Sequence, residues 1–278
     1  MLEELASSPL LTSQVARLLG FPSVKKASQR LVKLYRAGHA RRLAFFQASM
    51  HGTAEFVYFI GAAPHARTLG HTLAVAEVHV LFAEWLRRAD VAGEFWYGSQ
   101  LQLGFGVMPD GVIVLERGEK RALLFLEVDR GTEPLARQRP GYSLRTKLTA
   151  YAGAFDSGAY AQDFAWRGEF RGFRVLLIVP RGRVRHLQRL LRAEQFDFVL
   201  LSTLEDLQDG IDRPVWVTGQ DDRVNWLGHP GDAPGEQRGE QSGPPLPTQT
   251  PPNLLKTRDV APQVLPRKTP LVRHGDGR

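Results

Sequence analysis

Three carboxylates in the middle of the chain have the types and spacing that chemistry on a charged substrate requires. Asp110 stands in Pro109-Asp110-Gly111, just ahead of the apolar run Val112-Ile113-Val114-Leu115, while Glu127 and Asp129 close a second apolar run over 122–128. Alternation along a strand places Glu127 and Asp129 on one face. If the two runs form a hairpin through Gly118-Glu119-Lys120, Asp110 reaches the same end of the pair. Carboxylates that converge in this way raise one another's pKa and are costly unless a cation compensates them. Mg2+ is a hard ion that takes carboxylate and phosphate oxygens. Arg145 and Lys147, on a helix expected from about Leu144, are the protein's own alternative, with Tyr151 one turn further on. Blander roles stay open. Asp110 also suits an Asx turn, and Arg130 and Glu133 could tie Asp129 into a structural ion network.

The elements that would position these groups follow from periodicity. A helix over 72–88 carries Ala74, Val75, Val78, Leu81, Phe82 and Trp85 on one face, with His71 inside the apolar arc and Glu77 just beyond its edge. His71 reads as a helix-start histidine. Residues 174–180 and 196–202 read as buried strands, and 184–193 between them as a helix with the basic surface Arg185, Arg189 and Arg192. Strand–helix–strand order predicts a mixed sheet covered by helices.

The first sixty residues differ in charge from the rest. The chain carries a net +7, and +5 of it falls within residues 1–60, against zero over 61–227. Thr12 or Ser13 can cap a helix over 14–19, which Gly20 and Pro22 end. Ser23 can cap the next helix, over 24–37, with Ala27, Leu31 and Leu34 facing inward and Lys25, Lys26, Gln29, Arg30, Lys33 and Arg36 facing out. Gly38 stops it. Strand-like runs at 40–46 and 55–60, joined by 47–54, complete the order helix, sharp turn, helix, β-hairpin. That is the order of a winged helix-turn-helix, whose second helix enters a DNA groove. Lys25, Lys26, Gln29, Arg30 and Lys33 are the expected DNA contacts, with Arg41 and Arg42 at the wing's base reaching phosphates. A helical hairpin used for protein contacts is the other use of this order.

The expected fold is therefore α/β (α+β): a winged helix-turn-helix over 1–62, a mixed-sheet α/β domain over 65–225, and a disordered tail over 226–278. Residues 228–278 hold ten of the chain's 18 prolines and too little apolar surface to offset ordering entropy. The absence of cysteine excludes thiolate metal sites, disulfides and a cysteine nucleophile. No apolar run approaches the ~20 residues that span a bilayer, and the opening Met-Leu-Glu-Glu is unlike a secretory leader, so a cytoplasmic protein without membrane contact is expected. No phosphate-cradling glycine loop, Gly-x-Ser-x-Gly or His-Glu-x-x-His is present.

An Asp before one strand and a Glu closing the next resembles the PD-(D/E)xK nuclease superfamily. The resemblance implies a nuclease-like domain with Asp110 and Glu127 as ligands of Mg2+ or Mn2+, and Glu77 as the acid supplied by the preceding helix. The place of the superfamily's lysine holds Asp129; Lys147 is the candidate for a lysine moved to the following helix. Leu69-Gly70-His71, Pro109-Asp110, the string Leu126-Glu127-Val128-Asp129-Arg130-Gly131-Thr132-Glu133, and Lys147 with Tyr151 together resemble the replication-relaxation family across roughly 8–205. That resemblance implies DNA-linked work on plasmids or mobile elements, in replication, relaxation or mobilisation. Double-stranded DNA and replication or relaxosome proteins would be the partners. A metal-dependent endonuclease or nickase using Asp110, Glu127, Asp129 and Lys147 is the first alternative. A winged-helix transcriptional regulator or relaxosome accessory protein with an inactive nuclease fold is the second.

Overall fold

Two sheets organise the chain, and one long helix is buried between them. The computed structural model describes residues 1–45, 55–131, 143–220, 223–225 and 227. The 47–54 connection, Phe46, Thr132, Glu133 and all of the expected tail except Leu227 lie outside the described residues. The described residues all fall within one compact unit.

The first sheet belongs to the N-terminal elements: helix α1 (Leu2–Ser7), β1 (Leu10–Leu11), α2 (Thr12–Leu18), α3 (Val24–Arg36), β2 (Arg41–Phe45) and β3 (Glu55–Phe59). Its strand order is β1-β3-β2, all antiparallel, with Leu10 opposite Tyr58 and Arg42 opposite Tyr58 from the other side. Neither α1 nor β1 was expected, because six residues and two residues are too short to show a period. α2 begins two residues earlier than its pattern suggested. The Gln14 side chain accepts the Leu11 N–H at 3.0 Å, and the Thr12 hydroxyl instead donates to the Phe56 carbonyl at 3.3 Å. Gly20 takes φ +64°, a left-handed turn that a side chain would disfavour, and this lets α3 follow α2 sharply. Ser23 caps α3 as expected, its hydroxyl accepting the Lys26 N–H at 3.3 Å.

The second sheet has seven strands in the order β10-β9-β8-β7-β6-β5-β4. In chain order its elements are α4 (Ala66–Leu86), β4 (Ala92–Tyr97), β5 (Gly111–Arg117), β6 (Lys120–Val128), α5 (Leu144–Ser157), α6 (Ala159–Asp163), β7 (Phe173–Ile178), α7 (Val184–Ala193), β8 (Val199–Ser202), α8 (Leu204–Gly210), β9 (Trp216–Val217) and β10 (Arg223–Val224). β6, β7 and β8 run parallel, and every other pairing is antiparallel. This is the mixed α/β sheet expected. Alternation along β6 divides two cores. Leu123 and Phe125 pack with Leu148 and Tyr151 of α5 and Leu187 and Leu191 of α7, while Leu124, Leu126 and Val128 pack with α4 and α8.

α4 is apolar nearly all round, as a helix with neighbours on both sides must be. Val75, Val78, Leu81, Phe82 and Trp85 face the seven-stranded sheet; Ala76 and Val80 pack with Leu10, Val15, Leu31 and Tyr58 of the N-terminal elements. Among the described residues, no helix is long and apolar enough to cross a membrane.

Candidate functional site

The antiparallel β5–β6 pair and the parallel β6–β7 pair end together, and their ends gather the charged groups. The hairpin register sets Gly111 opposite Leu126. Asp110 continues the ladder, its N–H donating to the Leu126 carbonyl at 2.9 Å and its carbonyl accepting the Gly98 N–H at 3.0 Å. The backbones meet so closely here that a Cβ at Gly98 would lie 1.6 Å from the Pro109 carbonyl oxygen. Asp110 is thereby fixed at the strand end, with Oδ2 accepting the Val128 N–H at 2.7 Å and Oδ1 2.9 Å from His71 Nε2 on α4.

Glu127 stands opposite Asp110 in the continued β5–β6 register and turns to the face of the sheet that α5 covers. Ser143 caps that helix, accepting the Thr146 N–H at 3.2 Å, which starts it close enough for Lys147 and Tyr151 to turn inward together. Lys147 Nζ lies 2.6 Å from Glu127 Oε2, and the Tyr151 hydroxyl donates to Oε1 at 2.8 Å. Glu127 is only 2% exposed. Burial, reinforced by the Asp110 charge, pushes its carboxyl up to about 7, against the pull of Lys147 and Tyr151 in the other direction. A group poised near neutral pH exchanges protons readily. The hydrogen bond to Asp110 raises the His71 pKa, and burial beside Glu127 raises that of Tyr151.

The structure thus brings together Asp110, Glu127 and Lys147, and adds His71. It places the other two acids differently. Asp129 shares the Glu127 face but meets Arg183, which follows β7, and accepts the Gly131 N–H at 2.8 Å. Glu77 lies on the side of α4 turned to α2, where Arg17 and Gln14 bind its carboxylate, Gln14 Nε2 at 3.1 Å, with Gln208 Nε2 3.4 Å away. The expected helical acid is therefore in another cluster, and His71 holds the α4 position that faces Asp110. The reading of α4 as a helix with a single apolar face hid this. Gly70, next to His71, leaves room for Arg130, whose guanidinium a Cβ there would overlap.

Among the described residues, no group of three or more His, Asp or Glu side chains is arranged to hold a metal ion. Asp110 and Glu127 are the two carboxylates of this site whose oxygen donors could hold a hard divalent cation. A cage made by the protein alone is not what these residues form.

On the N-terminal elements, α3 buries Ala27 and Leu31 and exposes Lys25, Lys26, Gln29, Arg30, Lys33 and Arg36. Its thirteen residues include no acid. Arg42 stacks between the Tyr35 and Phe56 rings, at 4.4 and 4.3 Å, and Arg41 donates to the Gly61 carbonyl at 3.0 Å. These contacts orient both guanidinium groups at the hairpin's base.

No curated protein and no solved structure matches the chain. A family model described as replication-relaxation matches residues 2–164, which take in α3, Asp110, Glu127, Lys147 and Tyr151 and make up more than half of the chain. The match supports a replication-related function, and by it the chain belongs to the replication-relaxation family.

Proposed function

We propose that this protein serves replication or relaxation of DNA in the cytoplasm by binding duplex DNA through α3. The observation that carries the reading is the acid-free outer face of α3, Lys25, Lys26, Gln29, Arg30 and Lys33, set on a buried Ala27–Leu31 stripe. The order α1, β1, α2, α3, β2, β3 with sheet order β1-β3-β2 is that of a winged helix-turn-helix, which offers its last helix to the major groove. Arg41 and Arg42 then sit where a hairpin meets a phosphate backbone. Fluorescence anisotropy on a labelled duplex tests it. Lys26→Glu with Arg30→Glu and Lys33→Glu should weaken binding by about 100-fold or more at physiological salt. Equal binding by the variant would remove α3 from the reading.

A second reading, cleavage of a phosphodiester, is favoured by one observation: Lys147 reaches Glu127 from α5 although the strand position of the expected lysine is Asp129. Asp110 and Glu127 would hold Mg2+ or Mn2+, which when bound supplies charge stabilisation and an activated water. Lys147 and Tyr151 orient Glu127, and Lys147 adds positive charge where a phosphate would sit. Metal-dependent nicking of supercoiled plasmid that disappears in Asp110→Ala supports this reading. Intact plasmid leaves DNA binding alone, with replication or relaxosome proteins as the further partners.

A further inference from the structure

We propose that α7 is a second DNA contact, a basic stripe that follows a phosphate backbone away from the strand ends where Asp110, Glu127 and Asp129 lie. The proposal rests on the reading of this protein as a DNA binder but not on α3, and α7 lies beyond the residues that the family model matches.

The stripe is built by the helix period. Leu187 and Leu191 are buried, while Arg185, Arg189 and Arg192 recur at i, i+4 and i+7 on the exposed side, with His186 beside them. α7 has no acidic residue anywhere along its length. Arg181 stands four residues before Arg185, in the turn that leads into α7, and Arg185 and Arg189 lie one turn apart on the helix. Like charges at this spacing weaken a helix, and cations at its N-terminus oppose the helix dipole. A merely soluble surface avoids both costs by alternating sign. A surface that meets a polyanion is repaid on binding.

Glu194 pairs with Arg145 of α5 at 2.6 Å, and Asp206 pairs with Arg181 at 3.0 Å. Among the described residues, neither Arg185 nor Arg189 forms an ion pair. Arg192 donates to the Gly219 carbonyl at 3.0 Å, which holds that end of the stripe in place.

Its position gives the stripe a direction. β7 ends at Ile178, whose carbonyl accepts the Asp129 N–H at 2.8 Å, and the turn Arg181–Arg183 leads straight into α7. Arg183, at that junction, binds Asp129. The stripe therefore starts beside the carboxylates and runs from them along the outside of the sheet. A duplex strand lying on it would pass the acid site at one end.

Salt dependence of binding reads phosphate contacts directly, since each lost contact lowers the slope of log K against log salt by about 0.9. Arg185→Gln with Arg189→Gln, on exposed positions, should fold as the wild type does, weaken binding to a labelled duplex about tenfold, and reduce the slope by about 1.8. Arg185→Lys with Arg189→Lys keeps the charge and should restore the slope, which a loss of folding would not allow. The triple α3 variant is measured beside them. A glutamine variant with wild-type slope and affinity, while the α3 variant fails to bind, overturns the α7 contact and leaves the α3 reading standing. A reduced slope in the glutamine variant with an unaffected α3 variant supports α7 and overturns α3. Wild-type behaviour in both overturns both.

Discussion

Lys147 of α5 and Glu127 of β6 meet at 2.6 Å, twenty positions apart in the chain and on different layers of the fold. The strand position two residues after Glu127, where a lysine could have served, holds Asp129 bound to Arg183. The helix supplies the cation that the strand lacks, and the buried carboxylate is held in a state close to its titration point.

That relationship sets the behaviour of Glu127. Its carboxyl titrates at about 7 in the folded protein and at its ordinary 4.5 when unfolded. Between those values the folded state holds a proton that the unfolded state has lost, so the Glu127 contribution to stability falls as pH rises from 4.5 to 7. Glu127→Gln should remove that slope from denaturant melts. Lys147→Met takes away a group that lowers the Glu127 pKa, so the labelled Glu127 carboxyl resonance should titrate above 7. An unchanged titration would mean that the pair is not coupled.

His79 should act with the opposite sign. Burial lowers it from 6.5 to about 4, in a site where it stacks on Phe95 at 4.3 Å and its Nδ1 lies 3.1 Å from the Tyr97 hydroxyl. The unfolded chain binds a proton in this window and the folded chain does not, so the His79 contribution is complete above 6.5 and is lost as pH falls toward 4. The full effect is about 3 kcal/mol. Melts of His79→Phe against wild type over pH 4–7 should show the variant gaining relative stability toward acid, and parallel curves would contradict the assignment.

Two glycines beside the site should respond differently to alanine. Gly98→Ala drives a Cβ into the Pro109 carbonyl, backbone against backbone, and should cost about 3 kcal/mol in urea unfolding. Gly70→Ala meets only the movable end of Arg130 and should cost less than about 1 kcal/mol. Comparable losses at both positions would show that Asp110 is not held by the close β4–β5 approach.

Glu77 belongs to the contact between α2 and α4, where it binds Arg17 and Gln14. Glu77→Ala leaves Arg17 with Glu84 alone and should destabilise the fold by about 2 kcal/mol, discounted for the partial exposure of Arg17. The Glu127 titration should be unmoved in that variant. A shift there would return Glu77 to the acid site.

The elements that carry a strong period were legible in the sequence. α3 and α7 could be read from their apolar stripes, and the hairpin of β5 and β6 from alternation and its turn. α4 was legible as a helix but not in its surroundings, because Ala76 and Val80 bury a second face that a one-sided pattern does not announce. That second face is where Glu77 meets Arg17 and Gln14. The hairpin already brought Asp110 to the end where Glu127 lies, but the meeting of Lys147 with Glu127 depends on β6–α5 packing, which no spacing encodes. His71 carried only the signal of standing beside Gly70 at the start of a helix. The pairing of Arg183 with Asp129 needed the parallel β6–β7 register, across fifty-four positions.

The claim at the centre of this account is duplex binding through α3, and an agarose gel of supercoiled plasmid with wild type and the Lys26→Glu, Arg30→Glu, Lys33→Glu variant tests it most directly. The account predicts that wild type retards the plasmid and the variant does not, while thermal melts show both folded. Equal retardation by the two proteins, or none by either, would contradict it.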